Sequence, residues 1–231
     1  MECFIVNCYI GIDCDGNNVH LAGGIADTLY AREIAINATV NQLEKGVVAR
    51  RGGQFIGAGV TVFGVPPIGP NPAVPILYGY YCVDAVSKLS MSITNCYFCG
   101  AGIYLDGGCS SELTLLTLKY NGSGVVIGSN GTATRFSVNS LDIKSSVSTD
   151  ISILSASAQI EVHSGIFDDT KIYNPVGARL NMRYHTNKNN KTRQRMLGII
   201  NVGTPLEPAK MIIGEGSYDT FSLVALRNTN L

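Results

Sequence analysis

Cleaving a glycosidic bond takes two carboxyl groups flanking a sugar, one giving a proton and the other receiving one or attacking. The chain offers three places to look for them: Asp168 with Asp169, Asp13 with Asp15, and Asp106. Asp168 and Asp169 are adjacent, so in a strand they face opposite ways and do not easily share a substrate. A solvated turn explains them as well. Asp13-Cys14-Asp15-Gly16-Asn17-Asn18 is rich enough in oxygen to suggest a calcium loop, although its glycine is misplaced for an EF-hand and turn chemistry serves equally. His20, His163 and His185 are too scattered to form a metal set. Cys96 and Cys99 make a C-x-x-C, but no second pair follows at zinc spacing, and the seven cysteines read more simply as small buried hydrophobes. Gly52 to Gly59 is glycine-dense without a following helix or a Lys-Ser/Thr pair, hence a turn beside a strand rather than a phosphate cradle. No cofactor is expected, and the balance leans against an enzyme.

A different chemistry is concentrated near the carboxy terminus. Arg179, Arg183, Lys188, Lys191, Arg193 and Arg195 fall in a stretch without a single acid, a candidate contact for an anionic partner. The competing reading is a soluble hairpin whose Lys and Arg guard a strand edge.

The elements that must position these groups are β-strands. The 231 residues carry 17 basic and 17 acidic side chains, and charged residues make up 15% against about 25% in ordinary soluble domains. With 45% hydrophobic residues and 26 glycines, the chain can fill a core, which argues against disorder. Balanced charge argues against general nucleic-acid binding. No apolar run approaches the roughly 18 residues of a membrane helix. Five prolines crowd residues 65–75 (Pro66, Pro67, Pro70, Pro72, Pro75) and mark an extended loop. The chain opens as if inside a strand, with no secretory signal pattern, and so reads as a fragment of something longer.

A short motif recurs beyond that loop. Ile93-Thr-Asn-Cys-Tyr-Phe98, Leu115-Leu-Thr-Leu-Lys-Tyr120, Val138-Asn-Ser-Leu-Asp-Ile143 and Val162-His-Ser-Gly-Ile-Phe167 start 22, 23 and 24 residues apart. A second short strand follows three of them: Gly102 to Leu105, Gly124 to Ile127 and Asp150 to Ile153. Ile5 to Ile10 repeats the motif, and Ile36 to Val40 with Gly46 to Ala49 does so loosely. Such a unit cannot bury its apolar face alone but closes an interior when stacked on copies of itself. The expectation is an all-β, right-handed parallel β-helix (a β-solenoid of 22–24-residue coils) over residues 1–171. Ile93, Leu115, Val138 and Val162 would stack in one column, and Asn7, Asn95 and Asn139 could form ladders. From 172 to 231 the pattern changes to two hairpins, Ala178 to His185 with Met196 to Ile200 and Lys210 to Ile213 with Thr220 to Ala225, a small antiparallel region or cap.

These units, with their Asn-Cys-Tyr and Gly-Ile/Val-x-Leu/Ile elements, resemble the right-handed β-helix proteins of the pectate-lyase-like superfamily. The tail from Lys210 to Tyr218 is similar to the end of β-helix proteins of large viruses of protists and to phage tailspike-like chains. The resemblance implies either a polysaccharide-cleaving lyase or hydrolase, or a structural virion or surface component that is often trimeric. The Asn-Thr-Asp, Gly-His-Gly and Arg-Ile-Lys motifs of polygalacturonases are absent. The leading expectation is therefore a non-enzymatic structural or adhesive protein, a homo-oligomer with a trimer favoured or part of a larger assembly, in contact with protein and with polysaccharide. Its expected location is a virion or an extracellular surface.

Overall fold

The computed structural model describes residues 3–6, 10–16, 28–32, 34–37, 45–64, 76–130, 132–168, 171–187, 193–201 and 211–213. They form nineteen strands and no α-helix. One sheet, here sheet A, contains β1 (Cys3–Val6), β3 (Thr28–Arg32), β4 (Ile34–Asn37), β6 (Gln54–Ala58) and β7 (Val60–Phe63). It continues with the long strands β9 (Lys88–Tyr97), β11 (Ser110–Lys119), β13 (Arg135–Lys144), β15 (Gln159–Phe167) and β17 (Arg179–Asn187). Sheet B contains β2 (Ile10–Asp15), β5 (Lys45–Arg50), β8 (Ile76–Cys82), β10 (Cys99–Leu105), β12 (Ser123–Ile127), β14 (Ile151–Ile153) and β16 (Ile172–Tyr173). Every pairing among these strands is parallel, and the chain visits A and B by turns.

Alternation and its interruption explain the long strands. In β9, Leu89 and Met91 point inward, then Ser92 and Ile93 both point out, and Thr94 and Cys96 point inward again. The same change of phase occurs in β11, β13 and β15. Two successive outward residues cannot occur in a flat, strictly alternating strand, so each strand turns a corner there. Ladder pairing skips one residue per strand at the corner: Ser92, Thr114, Asn139 and His163. One level earlier, Gly59 (φ +69°) separates β6 from β7 at this place.

Pairing defines columns of equivalent residues. Leu89, Ser111, Phe136, Ile160 and Leu180 share one, at intervals of 22, 25, 24 and 20 residues. Ile93 does pair with Leu115, and Val138 with Val162, but Leu115 pairs with Ser140 and Val138 with Leu113. The expected single column is thus two columns, offset by two residues. The offset arises because the motif match followed apolar type while the ladder follows the corner. Ile93 and Leu115 are also outside the core, at 52% and 37% exposure. The Asn ladder is likewise corrected: Asn95 pairs with Thr61 and Thr117, Asn139 lies at the corner, and Asn7 lies outside the described residues.

The second strands fall where the sequence placed them, with Ile103, Val125 and Ile151 in one column and Leu105, Ile127 and Ile153 in the next. Sheet B owes its close approach to sheet A to glycine. A Cβ on Gly11, Gly46, Gly79, Gly102 or Gly124 would lie 2.4–2.9 Å from the carbonyl oxygen of Gly46, Gly79, Gly102, Gly124 or Asp150 respectively. The same Cβ atoms would press on Ile36, Val62, Cys96, Leu118 and Ile143, which themselves form a column of sheet A. Five glycines therefore face five apolar side chains, one per level. Tyr80 ties the sheets together across the core: its buried hydroxyl shares its one proton between the carbonyls of Val60 (2.9 Å) and Asn95 (3.0 Å), both just past the corner.

Parallel pairing continues past residue 172, through β16 and β17. Antiparallel pairing begins with β18 (Arg193–Asn201) against β17, and β19 (Met211–Ile213) follows on β18. The β17–β18 pairing is the first expected hairpin; the β18–β19 pairing was not expected, and the second expected hairpin is not tested because Thr220 to Ala225 lies outside the described residues, as does the proline-rich stretch 65–75. The stretch nonetheless leaves a trace in the ladder, since register partners Lys45 and Tyr78 are 33 residues apart where Cys99 and Ile76 are 23 apart.

Candidate functional site: a polar groove along the corner

Outward residues just before the corner line a groove of about 900 Å³ across four strands of sheet A. Ile56 and Ala58 come from β6, Ser90 and Ser92 from β9, Glu112 and Thr114 from β11, Ser137 and Asn139 from β13. The spacing is forced by the pleat, because residues i and i+2 of each strand share a face. Small hydroxyl and amide side chains leave room and offer donors and acceptors without fixed charge. The volume lies within the range of small-molecule sites, about 300–1,000 Å³. The one carboxylate in the lining, Glu112, is exposed and accepts from Lys88 at 2.7 Å. Such a surface can hydrogen-bond a polyhydroxylated ligand; one ion-paired carboxylate does not by itself make an acid–base pair.

The described acids singled out by sequence, Asp13, Asp15, Asp106 and Asp168, are not in the groove lining. Asp13 and Asp15 sit on β2 against Arg50 at the end of β5 and Arg51 just after it. Arg50 grips Asp13 through Nε (3.2 Å) and its terminal nitrogen (2.6 Å), and Arg51 meets the buried Asp15 at 2.5 Å. Both carboxylates are thus paired with guanidinium groups. Among the described residues no three His, Cys, Asp or Glu gather as a metal set.

Asp106 is buried at the end of β10, where it accepts from the backbone N–H groups of Gly107 (2.9 Å) and Asn130 (3.0 Å), from Asn130 Nδ2 (2.6 Å) and from the Tyr104 hydroxyl (3.1 Å). It ties its own turn to the turn one level on. Burial, with the Asp106 carboxylate beside it, pushes the Tyr104 hydroxyl well above the usual tyrosine range. Asp168 is buried too, at the end of β15; its N–H donates to Asp150 Oδ2 at 2.7 Å. Asp106 follows a strand of sheet B and Asp168 a strand of sheet A, so the fold does not bring them to one site. Asp169 lies outside the described residues.

The basic cluster is placed on one hairpin. Arg179 and Arg183 belong to β17, and Arg193 and Arg195 to β18, with Tyr184 opposite Arg195 and Thr186 opposite Arg193. Lys188 and Lys191 lie outside the described residues. Cys96 and Cys99 are buried free thiols that share Asn121, whose Oδ1 accepts from Cys99 N at 2.9 Å and from the Cys96 thiol. Burial, then the neighbouring Cys99 thiol, pushes the Cys96 thiol up, the opposite of a reactive thiolate. His163 stands exposed at the corner, one level beyond Asn139.

Sequence reasoning missed Ser90, Ser92, Glu112, Thr114, Ser137 and Asn139. Their signal was present as small polar residues at matching positions, visible only once the corner fixes the register. No family model, curated protein or solved structure matches the chain. Among the described residues, no helix is long and apolar enough to cross a membrane.

Proposed function

We propose that the chain is a non-enzymatic structural or adhesive protein whose two parallel sheets wind as a right-handed β-helix. It serves in a virion, fibre or surface assembly through contacts with protein and with neutral polyhydroxylated polymer. The observation that carries this reading is the groove, which presents hydroxyls and an amide at matching positions of successive strands and a single paired carboxylate. Its support includes the fate of the remaining candidate acids. The carboxylates of Asp13, Asp15 and Asp106 are engaged by arginines and by turn N–H groups, and Asp168 is buried at the end of β15. The test is to incubate the full chain with neutral and acidic polysaccharides and to measure both retention and new chain ends. Retention without cleavage is expected, and turnover of any of these polymers sinks the reading.

One observation favours a glycan-cleaving enzyme instead. Glu112, Ser137 and Glu161 share a column, so two exposed carboxylates stand two strand spacings apart. That is about 9.5 Å at the backbone, near the upper limit for an inverting glycosidase. Under this alternative, cleavage would be abolished in both E112Q and E161Q.

A further inference from the structure

We infer that Cys82 and Cys109 are the two halves of a structural disulfide, closed by exchange with a small disulfide such as glutathione disulfide while the chain folds. The inference goes beyond the proposed function. It concerns the core, and it holds whether the groove retains a polymer or cleaves one.

Cys82 ends β8, and Cys109 is the last residue before β11. Leu105, the ladder partner of Cys82, ends β10, and the turn Asp106-Gly107-Gly108 brings the chain back beside it through two left-handed glycines (φ +68° and +86°). The Cys109 thiol thereby rests on the Cys82 carbonyl at 3.1 Å, and both side chains are fully buried. A disulfide spans Cα atoms about 4.4–6.8 Å apart, a separation this contact permits. A hydrogen bond with the Cys109 thiol, then burial, pushes the Cys82 thiol well above the usual cysteine range.

Packing does not call for two cysteines here. At the following levels the same two places hold Leu105 with Thr134, Ile127 with Ala158, and Ile153 with Ala178. A large apolar residue and a small one fill the site there, whereas at this level two sulfurs meet. The other cysteines with described side chains are less suited. Cys14 shares the column of Cys82, but Ala49 stands between them, so their backbones are two strand spacings apart, about 9.6 Å, beyond the reach of a disulfide. The Cys96 thiol donates to Asn121 Oδ1 at 3.7 Å and the Cys99 thiol to the Tyr97 carbonyl at 3.5 Å. A bond between such near neighbours would constrain the unfolded chain little. A Cys82–Cys109 bond joins residues 27 apart and encloses β9 and β10, one whole level, which removes far more freedom from the unfolded chain.

The exchange balances. One cysteine thiolate attacks glutathione disulfide, forming a mixed disulfide and releasing one glutathione thiolate, which takes up the proton. The second cysteine attacks the protein sulfur of that mixed disulfide and releases the other glutathione in the same way. Two protein thiols are oxidised, and one glutathione disulfide is reduced to two thiols. Burial and the raised Cys82 thiol place these steps during folding, before the core closes.

The experiment is to unfold the full chain, refold it with and without glutathione disulfide, alkylate the remaining thiols in denaturant, and map the peptides without reduction. With the oxidant, a bond joining Cys82 to Cys109 is expected, with Cys14 alkylated. The oxidised chain should melt roughly 5–10 °C above the same sample treated with a reductant. That difference should vanish in C109A, a variant that places at this level the alanine found at two later ones. Recovery of Cys82 and Cys109 as alkylated thiols after oxidative refolding, a bond from either to another cysteine, or a melting midpoint indifferent to the reductant overturns the inference.

Discussion

Sheet B and the outer side of sheet A obey opposite rules. In sheet B one column is glycine at five successive levels, Gly11, Gly46, Gly79, Gly102 and Gly124, because any side chain would meet the next level's carbonyl. Outside sheet A, the corner column runs Ser92, Thr114, Asn139 and His163, four residue types at four levels, with no backbone in their way. The repeat is thus strict where levels stack on each other and permissive where they face solvent. Recognition chemistry can vary only on the permissive side.

The contrast can be broken most severely at the glycines. Gly102→Val or Gly79→Ala should cost about 3 kcal/mol or prevent folding, since backbone and core side chains block the new atoms together. Thermal denaturation of the purified chains measures this; a midpoint unchanged in Gly79→Ala would show that the sheets can part. Next in size is Asn121, whose buried amide serves the backbone at both Cys96 and Cys99. Asn121→Ala should lose about 2 kcal/mol by stranding buried polar groups, while removal of the neighbouring Ser146 hydroxyl, which has no hydrogen-bond partner, should be nearly neutral.

Tyr80 sharpens the comparison through pH. Burial raises its hydroxyl well above the ordinary range, so ionisation is disfavoured in the fold relative to the unfolded chain. Its contribution is complete below the unfolded value of about 10 and is lost as pH rises from there toward the folded value. Denaturant midpoints should fall above about pH 10 in the parent and fall less steeply in Tyr80→Phe, which itself costs about 1 kcal/mol at neutral pH. The smallest effects belong to the outer surface. Ser92→Ala and Thr114→Ala should shift stability by less than about 0.5 kcal/mol yet weaken retention on a neutral polysaccharide. Adding calcium should leave the thermal midpoint unmoved, because Arg50 and Arg51 already neutralise Asp13 and Asp15.

What was legible in the sequence follows the same division. The strands of sheet B stood out because short apolar runs behind a glycine are both frequent and required; Gly102 to Leu105 and Gly124 to Ile127 pair as their pattern implied. The register of sheet A was misplaced by two residues because a bent strand contains two phases of alternation, and Ile93 and Leu115 imitate core residues while facing out. Asp13 with Asp15 and Asp168 with Asp169 were paired for being near one another in the chain, whereas a parallel ladder brings together residues about twenty or more positions apart. Lys88 meets Glu112, and Asp106 meets Asn130, across such intervals. The groove was hidden for the same reason: its parts are single serines and threonines until the ladder aligns them.

The glycine column also makes length a separate variable. From β9 on, each level adds one strand to each sheet, and the levels from Gly11 to Gly124 present the same pair of surfaces, glycine on one side and an apolar residue on the other. Whole levels could be gained or lost by duplication or deletion without redesigning the junction, and each would change the reach of the body by one strand spacing, about 4.8 Å. The series ends at Asp150, the first level without the glycine, where the buried carboxylate instead receives Asp168 N–H. A chain of this kind behaves as a ruler with fixed divisions, and past Asp150 the ladder goes on to β16 and β17 without the glycine.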